Sequence, residues 1–231
     1  MNASEFYQFI HQPQLKRWAA LFDPDKHDAH STEIWISKIK NLQPDLVLYG
    51  GTRVLASHFQ ELLPVLKSKI NCPLVIFPGQ PHQLSAEADG LLLLSLLSGR
   101  NPDYLIAHQV STARQIDEQK INFASTAYLL LDGGTQTSAM EATQTFPIPF
   151  ENTKLIFDTC LAAKQMGFYN IYLEAGSGAK HPIPSSIIKK VKQETKLNLW
   201  VGGGIRTAQQ RELSWHAGAD WVVMGNVFEE T

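Results

Sequence analysis

Short runs of apolar residues alternate along the chain with longer segments in which apolar and polar residues are mixed. Several of these runs are apolar at almost every position, which is typical of parallel strands that are buried on both faces. The pattern predicts eight strands: Trp18–Phe22, Asp45–Tyr49, Leu74–Phe77, Gly90–Leu94, Ala127–Leu131, Asn170–Glu174, Leu197–Val201 and Trp221–Met224.

The longer segments carry helix signals at their ends. Their predicted starting residues are Ser31, Asn152 or Thr153, Ser185 and Thr207. Gly167 and Gly218 are placed where helices commonly end in a left-handed glycine. The helix that starts at Ser31 is expected to bury an apolar face formed by Ile34, Ile36, Ile39 and Leu42.

Strands and helices that alternate in this number predict an α/β fold, the closed (β/α)8 TIM barrel. No linker, low-complexity tract or short repeat divides the chain, so residues 1–231 are interpreted as a single domain. A doubly wound open sheet is the competing architecture. The barrel is expected to be modified between strands 3 and 5, because residues 96–123 fit one helix or two and residues 133–150 resemble a long loop.

The composition limits the classes of function. With 44% hydrophobic and 18% charged residues, the chain has the composition of a folded globular protein. A formal net charge of −2 provides no overall basic field, so no nucleic-acid partner is expected. The cysteines match no metal or redox spacing, no signal peptide is predicted, and the apolar run Leu91–Leu97 is too short to span a bilayer. These features predict a cytoplasmic protein without a transmembrane segment.

Glycines follow the last two predicted strands. Gly202, Gly203 and Gly204 come directly after strand 7, and Gly225 with Asn226 comes after strand 8. Main chain without side chains lets N–H groups approach a phosphate closely, and barrels commonly bind phosphate with the loops after these two strands. The sequence therefore predicts a phosphate-binding site at the carboxyl end of the barrel.

Polar side chains stand at the ends of strands 1, 2 and 6. Asp23 is a candidate Mg²⁺ ligand and Thr52 offers a hydroxyl oxygen, although a turn-forming aspartate and a helix N-cap explain them equally well. Tyr172 and Glu174 share parity on strand 6, so both are predicted to face the barrel interior while Leu173 faces the helices. An inward carboxylate is typical of a general base or of a charge that stabilises a developing cation, with a structural ion pair as the alternative.

Together these motifs resemble those of the geranylgeranylglyceryl phosphate synthase family, which includes heptaprenylglyceryl phosphate synthases. The matching segments are 21–26 (LFDPDK), 50–52 (GGT), 128–135 (YLLLDGGT), 172–179 (YLEAGSGA), 201–206 (VGGGIR) and 225–226 (GN). The block at 172–178 is the specific element, whereas a glycine triplet recurs in many phosphate-binding barrels. Some members carry a lysine where this chain has Leu21. In this respect the chain resembles the branch of archaeal and some bacterial geranylgeranyl enzymes, rather than the heptaprenyl branch.

The resemblance implies a prenyltransferase that joins geranylgeranyl or a similar polyprenyl diphosphate to the C3 hydroxyl of sn-glycerol 1-phosphate, forming an ether-lipid precursor and releasing diphosphate. It implies Mg²⁺ held by Asp23 and Thr52. Glu174 is the predicted catalytic residue, because the cation-like carbon of such a reaction needs a nearby base. It places glycerol 1-phosphate against Tyr172, Leu173, Glu174, Ala175, Gly176, Ser177, Gly178, Gly203, Gly204, Gly225 and Asn226.

A prenyl chain also needs a long apolar trough. The candidates to line it are Leu91, Leu92, Leu93, Leu94, Leu96, Leu97 and Tyr104, with ordinary core packing as the alternative for most of them. The family resemblance leads us to expect a homo-oligomer, with Trp35, Trp215 and Tyr169 as candidate interface aromatics, and the lipid-like product suggests peripheral membrane contact.

Two other functions stay open at this point. Another phosphate-binding barrel enzyme would be a Schiff-base aldolase, which needs a lysine where Glu174 stands, or a sugar-phosphate isomerase, which would use Asp23 and Asp132 as paired carboxylates. A barrel that only binds a phosphorylated ligand is the non-enzyme alternative, and the presence of Asp23, Thr52 and Glu174 together weighs against it.

Overall fold

The computed structural model describes residues 1–12, 15–225 and 228, and eight parallel strands among them close into a barrel. The strands follow one another in chain order, and the last pairs back onto the first. They are β1 Arg17–Phe22, β2 Leu46–Tyr49, β3 Leu74–Ile76, β4 Gly90–Leu96, β5 Phe123–Leu130, β6 Asn170–Glu174, β7 Asn198–Gly202 and β8 Trp221–Met224. The predicted closed barrel is confirmed.

All eight predicted strands are present, and β6 and β8 have the predicted bounds. The largest difference is in β5, which begins at Phe123 instead of Ala127. The strand is longer because β4 continues to Leu96, and β5 pairs with β4 from Leu91 onward. The apolar runs predicted the strands well because one side of a barrel strand packs on the barrel interior and the other side packs on the helices. Neither side is in contact with water, so both sides are apolar.

Eight α-helices occur among the described residues: α1 Ala3–His11, α2 Ala29–Leu42, α3 Ala56–Lys69, α4 His108–Glu118, α5 Ser138–Thr143, α6 Thr153–Gln165, α7 Ser185–Thr195 and α8 Ala208–Ala217. As predicted, Thr207 caps α8 and Gly218 ends it in the left-handed conformation, while Asn152 caps α6. None of these helices is long and apolar enough to cross a bilayer.

The buried face of α2 differs from the predicted one. Ile36 and Ile39 are buried as expected, but Ile34 and Leu42 are exposed and Trp35 is buried instead. Successive helical residues are rotated by about 100°, so residues 35, 36 and 39 share one face while Ile34 lies opposite it. The prediction was wrong because it counted apolar residues without placing them on one face.

The barrel is modified between β3 and β4, within the predicted region. No described residue of segment 77–89 is helical, and we call this irregular connection the strap. After β4, a π-helical turn at Asp103–Ala107 leads directly into α4, so the segment 96–123 holds one regular α-helix. The segment 133–150, which was predicted to be a loop, contains the short helix α5.

Aromatic side chains fill the barrel, and α1 closes its amino end. Trp200 and Trp221 stack with ring centroids 4.6 Å apart, and Tyr172 stacks on the other side of Trp200 at 6.3 Å. The indole N–H of Trp221 donates to the carbonyl oxygen of Ile10 at the end of α1. Helix α1, which was not predicted from the sequence, therefore covers the amino end of the barrel, and the large cavity of the described residues lies at the carboxyl end.

We expect Phe6→Ala to destabilise the fold by about 3–5 kcal/mol, the usual cost of truncating a buried phenylalanine. The Phe6 side chain in α1 is 1% exposed, and its ring lies so close to Gly90 that an added Cβ there would be 2.3 Å away. Tyr7 in the same helix is 47% exposed, so Tyr7→Ala is the matched control and should cost less than about 1 kcal/mol. Denaturant unfolding measures the free energy of unfolding of both variants. Equal decreases would contradict the packing of α1 against the amino end of the barrel.

Candidate functional site

One large cavity opens at the carboxyl end of the barrel, where the glycine-rich loops follow the strands. Every strand, or the loop that follows it, contributes to its lining. The predicted site residues that line it are Asp23, Thr52, Tyr172, Glu174, Gly176, Ser177, Gly178, Gly203, Gly204 and Gly225. The fold therefore brings together residues that lie up to about two hundred positions apart in the sequence.

Three predicted substrate contacts do not belong to this set. Leu173 and Ala175 are buried in the layer between the strands and the helices and do not line the cavity. Their side chains pack toward the helices because alternate side chains along a strand point to opposite faces, and their contact with glycerol 1-phosphate stays a prediction. Asn226 lies outside the described residues.

Glu174 occupies the last position of β6 and is 8% exposed. Its carboxylate accepts a hydrogen bond from the Gly176 N–H, with 2.6 Å between nitrogen and oxygen. Burial raises the pKa of this carboxyl to about 7, and the hydrogen bond from Gly176 offsets part of the effect. No basic side chain among the described residues forms an ion pair with Glu174, so the structural alternative is not realised there. A carboxyl group that titrates near neutral pH is suited to act as a general base.

The hydroxyl of Tyr172 lies next to this carboxylate. Both approach the Gly202 main chain, since an added Cβ there would be 2.4 Å from the Tyr172 oxygen and 2.9 Å from Glu174 Oε2. Burial, assisted by the nearby carboxylate, raises the pKa of Tyr172 well above its ordinary value, so the hydroxyl stays protonated. Its interaction with the Glu174 carboxylate lowers the pKa of that carboxyl, although the hydroxyl makes no hydrogen bond of normal geometry in the described part of the chain. A buried donor of this kind is available to an oxygen atom of a bound ligand.

The loop after β7 approaches Glu174 more closely than a side chain would allow. Gly203 has a φ angle of +83°, and an added Cβ would lie 2.5 Å from Glu174 Oε1 and 2.7 Å from the Gly176 nitrogen. Glycine is therefore required here both for the left-handed backbone and for the close approach. The main chain of residues 176–178 and 203–204 thus lines the same part of the cavity. Main-chain N–H groups in such an arrangement can bind an anion.

Asp23 and Thr52 follow the neighbouring strands β1 and β2. The Asp23 carboxylate packs on the Gly51 main chain, where an added Cβ would be 2.5 Å from Oδ1, and Lys26 Nζ lies 4.0 Å from Oδ2. Asp23 also accepts from the Asp25 N–H, so its predicted turn-forming role is present as well. No group of three His, Cys, Asp or Glu residues in the described chain is arranged to hold a metal. A cation at Asp23 would then take most of its ligands from water and a bound phosphate, as Mg²⁺ usually does.

The cavity continues into an apolar arm beside β4. Of the predicted trough residues, its lining includes Leu91, Leu93, Leu94, Leu96 and Tyr104. Leu92 packs inside the barrel and Leu97 packs against the outer core, so neither lines the arm. Leu84 of the strap and Thr112 of α4 also contribute to the lining. On this side of the barrel the strap, and not a helix, connects β3 to β4.

Several residues of the lining were not predicted from the sequence. Tyr128 on β5 is in register with Tyr172 on β6, their ring centroids are 5.4 Å apart, and both line the cavity. Phe77, at the start of the strap, stacks on Tyr172 at 5.2 Å. Parity along β5 would have found Tyr128, but helix α5, which contributes three lining residues, is too short to give a periodic signal.

We expect Glu174→Gln to stabilise the protein more at pH 8 than at pH 5. Folding raises the pKa of this carboxyl from 4.5 to about 7, so the folded state loses stability relative to the unfolded state as the pH rises through that range. Glutamine has the same shape and no charge to bury, so it removes this loss. The melting temperature of the variant minus that of the wild type should increase by at least about 3 °C between pH 5 and pH 8. A difference that does not change with pH would contradict the raised pKa.

Sequence comparisons give a consistent set of relatives. A model described as the PcrB family matches residues 11–231. The geranylgeranylglyceryl phosphate synthase of Flavobacterium johnsoniae is 40% identical over 214 residues, which are 93% of this chain and 88% of that relative. The protein of the same name from Korarchaeum cryptofilum is 32% identical over 212 residues, which are 92% of this chain and 87% of that relative.

Structure comparisons agree with the sequence matches. The crystal structure of (S)-3-O-geranylgeranylglyceryl phosphate synthase from Thermoplasma acidophilum, in complex with its substrate sn-glycerol-1-phosphate, has a TM-score of 0.89. It is 28% identical, and the match covers 100% of this chain and 93% of that chain. A thiamine phosphate pyrophosphorylase from Pyrococcus furiosus is 12% identical with a TM-score of 0.57, over 93% of this chain and 88% of that chain, so it shares the fold alone.

Proposed function

This chain belongs to the PcrB family, and we propose that it is a prenyltransferase of the geranylgeranylglyceryl phosphate synthase type. It joins geranylgeranyl or a similar polyprenyl diphosphate to the C3 hydroxyl of sn-glycerol 1-phosphate, and it releases diphosphate. One observation carries the proposal: a single cavity combines a glycine-lined main-chain site, a carboxyl whose pKa is near 7 and an apolar arm. The names of the relatives support the same reaction.

The reaction forms one carbon–oxygen bond and breaks another. The C3 oxygen of glycerol 1-phosphate attacks C1 of the prenyl group, while the bond from C1 to the diphosphate oxygen breaks and its electron pair leaves with diphosphate. The proton of the C3 hydroxyl passes to Glu174, whose pKa of about 7 allows it to accept a proton near neutral pH. The same carboxylate, while ionised, stabilises positive charge that develops on C1.

Glycerol 1-phosphate binds, in this proposal, between the loops that follow β6, β7 and β8. Main chain at residues 176–178, residues 203–204 and Gly225 receives the phosphate, and the Tyr172 hydroxyl donates to a glycerol oxygen. Arg206 lines the same end of the cavity and adds positive charge. Binding there holds the C3 hydroxyl beside Glu174, and that orientation contributes to the rate.

Mg²⁺ is the proposed cofactor, with the Asp23 carboxylate and the Thr52 hydroxyl as its protein ligands. When bound, it supplies positive charge that neutralises the leaving diphosphate. Lys26, in the same part of the lining, gives the diphosphate a second positive partner. The prenyl chain occupies the apolar arm beside β4, where hydrocarbon is removed from water.

A homo-oligomer and peripheral contact with a membrane are also proposals. Of the three candidate interface aromatics, Trp35 is buried, and Trp215 is half-buried and donates its indole N–H to the Arg17 carbonyl. Tyr169 is 55% exposed, so it remains the candidate interface residue among the three.

A product assay tests the function directly. The protein is incubated with Mg²⁺, radiolabelled sn-glycerol 1-phosphate and prenyl diphosphates of graded length, and the mixture is extracted with organic solvent. We expect label in the organic phase with at least one donor, much less without Mg²⁺, and much less with labelled sn-glycerol 3-phosphate. Label that stays in the aqueous phase with every donor would refute the proposed transfer.

A further inference from the structure

We propose that Gln83, in the strap, is a positioning residue that holds the loop after β2 against Asp23 and so sets the geometry of the Mg²⁺–diphosphate site. The inference rests on the proposed function. Gln83 does not line the cavity itself, so it acts through the main chain that it binds.

The Gln83 side chain is completely buried, and its amide bridges two segments of main chain. Oε1 accepts from the Gly79 N–H at 3.2 Å, and Nε2 donates to the Gly51 carbonyl oxygen at 2.9 Å. A buried amide that lost these partners would keep a donor and an acceptor that no water molecule could satisfy, which is unfavourable. The two hydrogen bonds therefore fix the distance between the strap and the loop after β2.

That loop is in direct contact with the proposed metal ligands. An added Cβ on Gly51 would be 2.5 Å from Asp23 Oδ1 and 2.8 Å from Oδ2, so the Gly51 main chain already touches the carboxylate. Gly79 is just as close on the other side, since an added Cβ would be 2.4 Å from the Gly51 oxygen and 2.7 Å from Thr52 Cα. A movement of the Gly51 carbonyl would therefore displace both Asp23 and Thr52.

A second contact fastens the strap to the same loop, farther from the Asp23 carboxylate. His82 Nε2 lies 2.8 Å from the carbonyl oxygen of Val54, three residues beyond Gly51. Neither His82 nor Val54 lines the cavity. Loss of this hydrogen bond would loosen the strap without changing what Gly51 bonds to, and so His82→Ala is a matched control for a purely structural effect.

Gln83→Met keeps the approximate shape of the side chain and removes both hydrogen bonds. We expect Mg²⁺-dependent binding of inorganic diphosphate to weaken about tenfold or more, as is usual when a residue that orients a metal ligand is changed. The affinity for glycerol 1-phosphate should stay within about twofold, because both hydrogen bonds of the Gln83 side chain go to the strap and to the loop after β2. Gln83→Glu retains the acceptor for Gly79 but, when ionised, has no donor for Gly51, and it provides a second variant if Gln83→Met fails to fold.

Isothermal titration with inorganic diphosphate in the presence and absence of Mg²⁺, and separately with glycerol 1-phosphate, gives the affinities. Steady-state kinetics should show the same division, with a higher KM for the prenyl diphosphate and an unchanged KM for glycerol 1-phosphate. We expect His82→Ala to lower the melting temperature and to bind diphosphate like the wild type.

Two results would overturn the inference alone: Gln83 variants that bind Mg²⁺ and diphosphate like the wild type, or variants that lose affinity for both substrates equally. A wild-type protein that shows no Mg²⁺-dependent diphosphate binding would instead overturn the metal site of the proposed function, and this inference with it. The wild-type titration therefore separates the two failures.

Discussion

Glu174→Gln is expected to lower kcat about a thousandfold while the affinity for glycerol 1-phosphate stays within about threefold. Glutamine fills the same volume and can still accept the Gly176 N–H, so the glycine loops keep their positions. It cannot accept a proton from the C3 hydroxyl, and it provides no negative charge for the developing cation at C1. Steady-state kinetics with prenyl diphosphate, together with titration of glycerol 1-phosphate, separates turnover from binding.

Asp132→Asn is the matched control for this prediction. Asp132 also follows a barrel strand, but it is exposed, does not line the cavity, and accepts from the Gly134 N–H. We expect turnover close to that of the wild type, which would also exclude the paired-carboxylate isomerase that Asp23 and Asp132 suggested. Near-normal turnover by Glu174→Gln would remove Glu174 from the proposed mechanism.

The pH dependence supplies a further check on the same residue. Because the base must be ionised and its pKa is about 7, kcat/KM of the wild type should rise with pH and level off above pH 7. The residual activity of Glu174→Gln should lack this rise. A variant that keeps the wild-type pH profile would assign the titration to another group.

Asp23→Asn is expected to reduce kcat/KM for the prenyl diphosphate at least about a hundredfold and to abolish the stimulation by Mg²⁺. The amide retains the shape of the side chain but lacks the charge that a hard dication requires. Glycerol 1-phosphate should bind normally, because its loops follow β6, β7 and β8. Activity measured against Mg²⁺ concentration gives the result, and an unchanged Mg²⁺ dependence would contradict the assignment of Asp23.

Asp25→Asn is the control in the same turn. The Asp25 carboxylate accepts from the Leu55 N–H at the start of α3 and lies 3.3 Å from His58 Nδ1, and it does not line the cavity. We expect a lower melting temperature with the Mg²⁺ dependence intact. If both variants lost activity equally, the turn as a whole and not the Asp23 carboxylate would be responsible.

The sequence predicted the barrel because its evidence is local. A strand such as Trp221–Met224 is apolar throughout and ends at a glycine, so a short window is sufficient to define it. Parity along Asn170–Glu174 placed Tyr172 and Glu174 inward and Leu173 outward, and all three directions are confirmed. The same alternation turns the side chains of Leu173 and Ala175 away from the cavity, although the contiguous motif included both among the predicted substrate contacts.

Other features depended on partners that are distant along the chain. Helix α1 covers the amino end of the barrel because Trp221 and Gly90, which are distant in sequence, contact it. The role of Gln83 exists only where the strap meets the loop after β2, and a single glutamine in a polar segment gives no signal of this.

The sequence by itself determined the number and positions of the strands, the glycines at the strand ends and the inward direction of Glu174, because apolar periodicity and chain flexibility are properties of neighbouring residues. The tertiary structure alone decided that Glu174 has a pKa near 7, that an apolar arm opens beside β4, and which main-chain atoms hold Asp23 in place. These properties arise from burial and close contact between distant segments, and therefore no window of the sequence contains them.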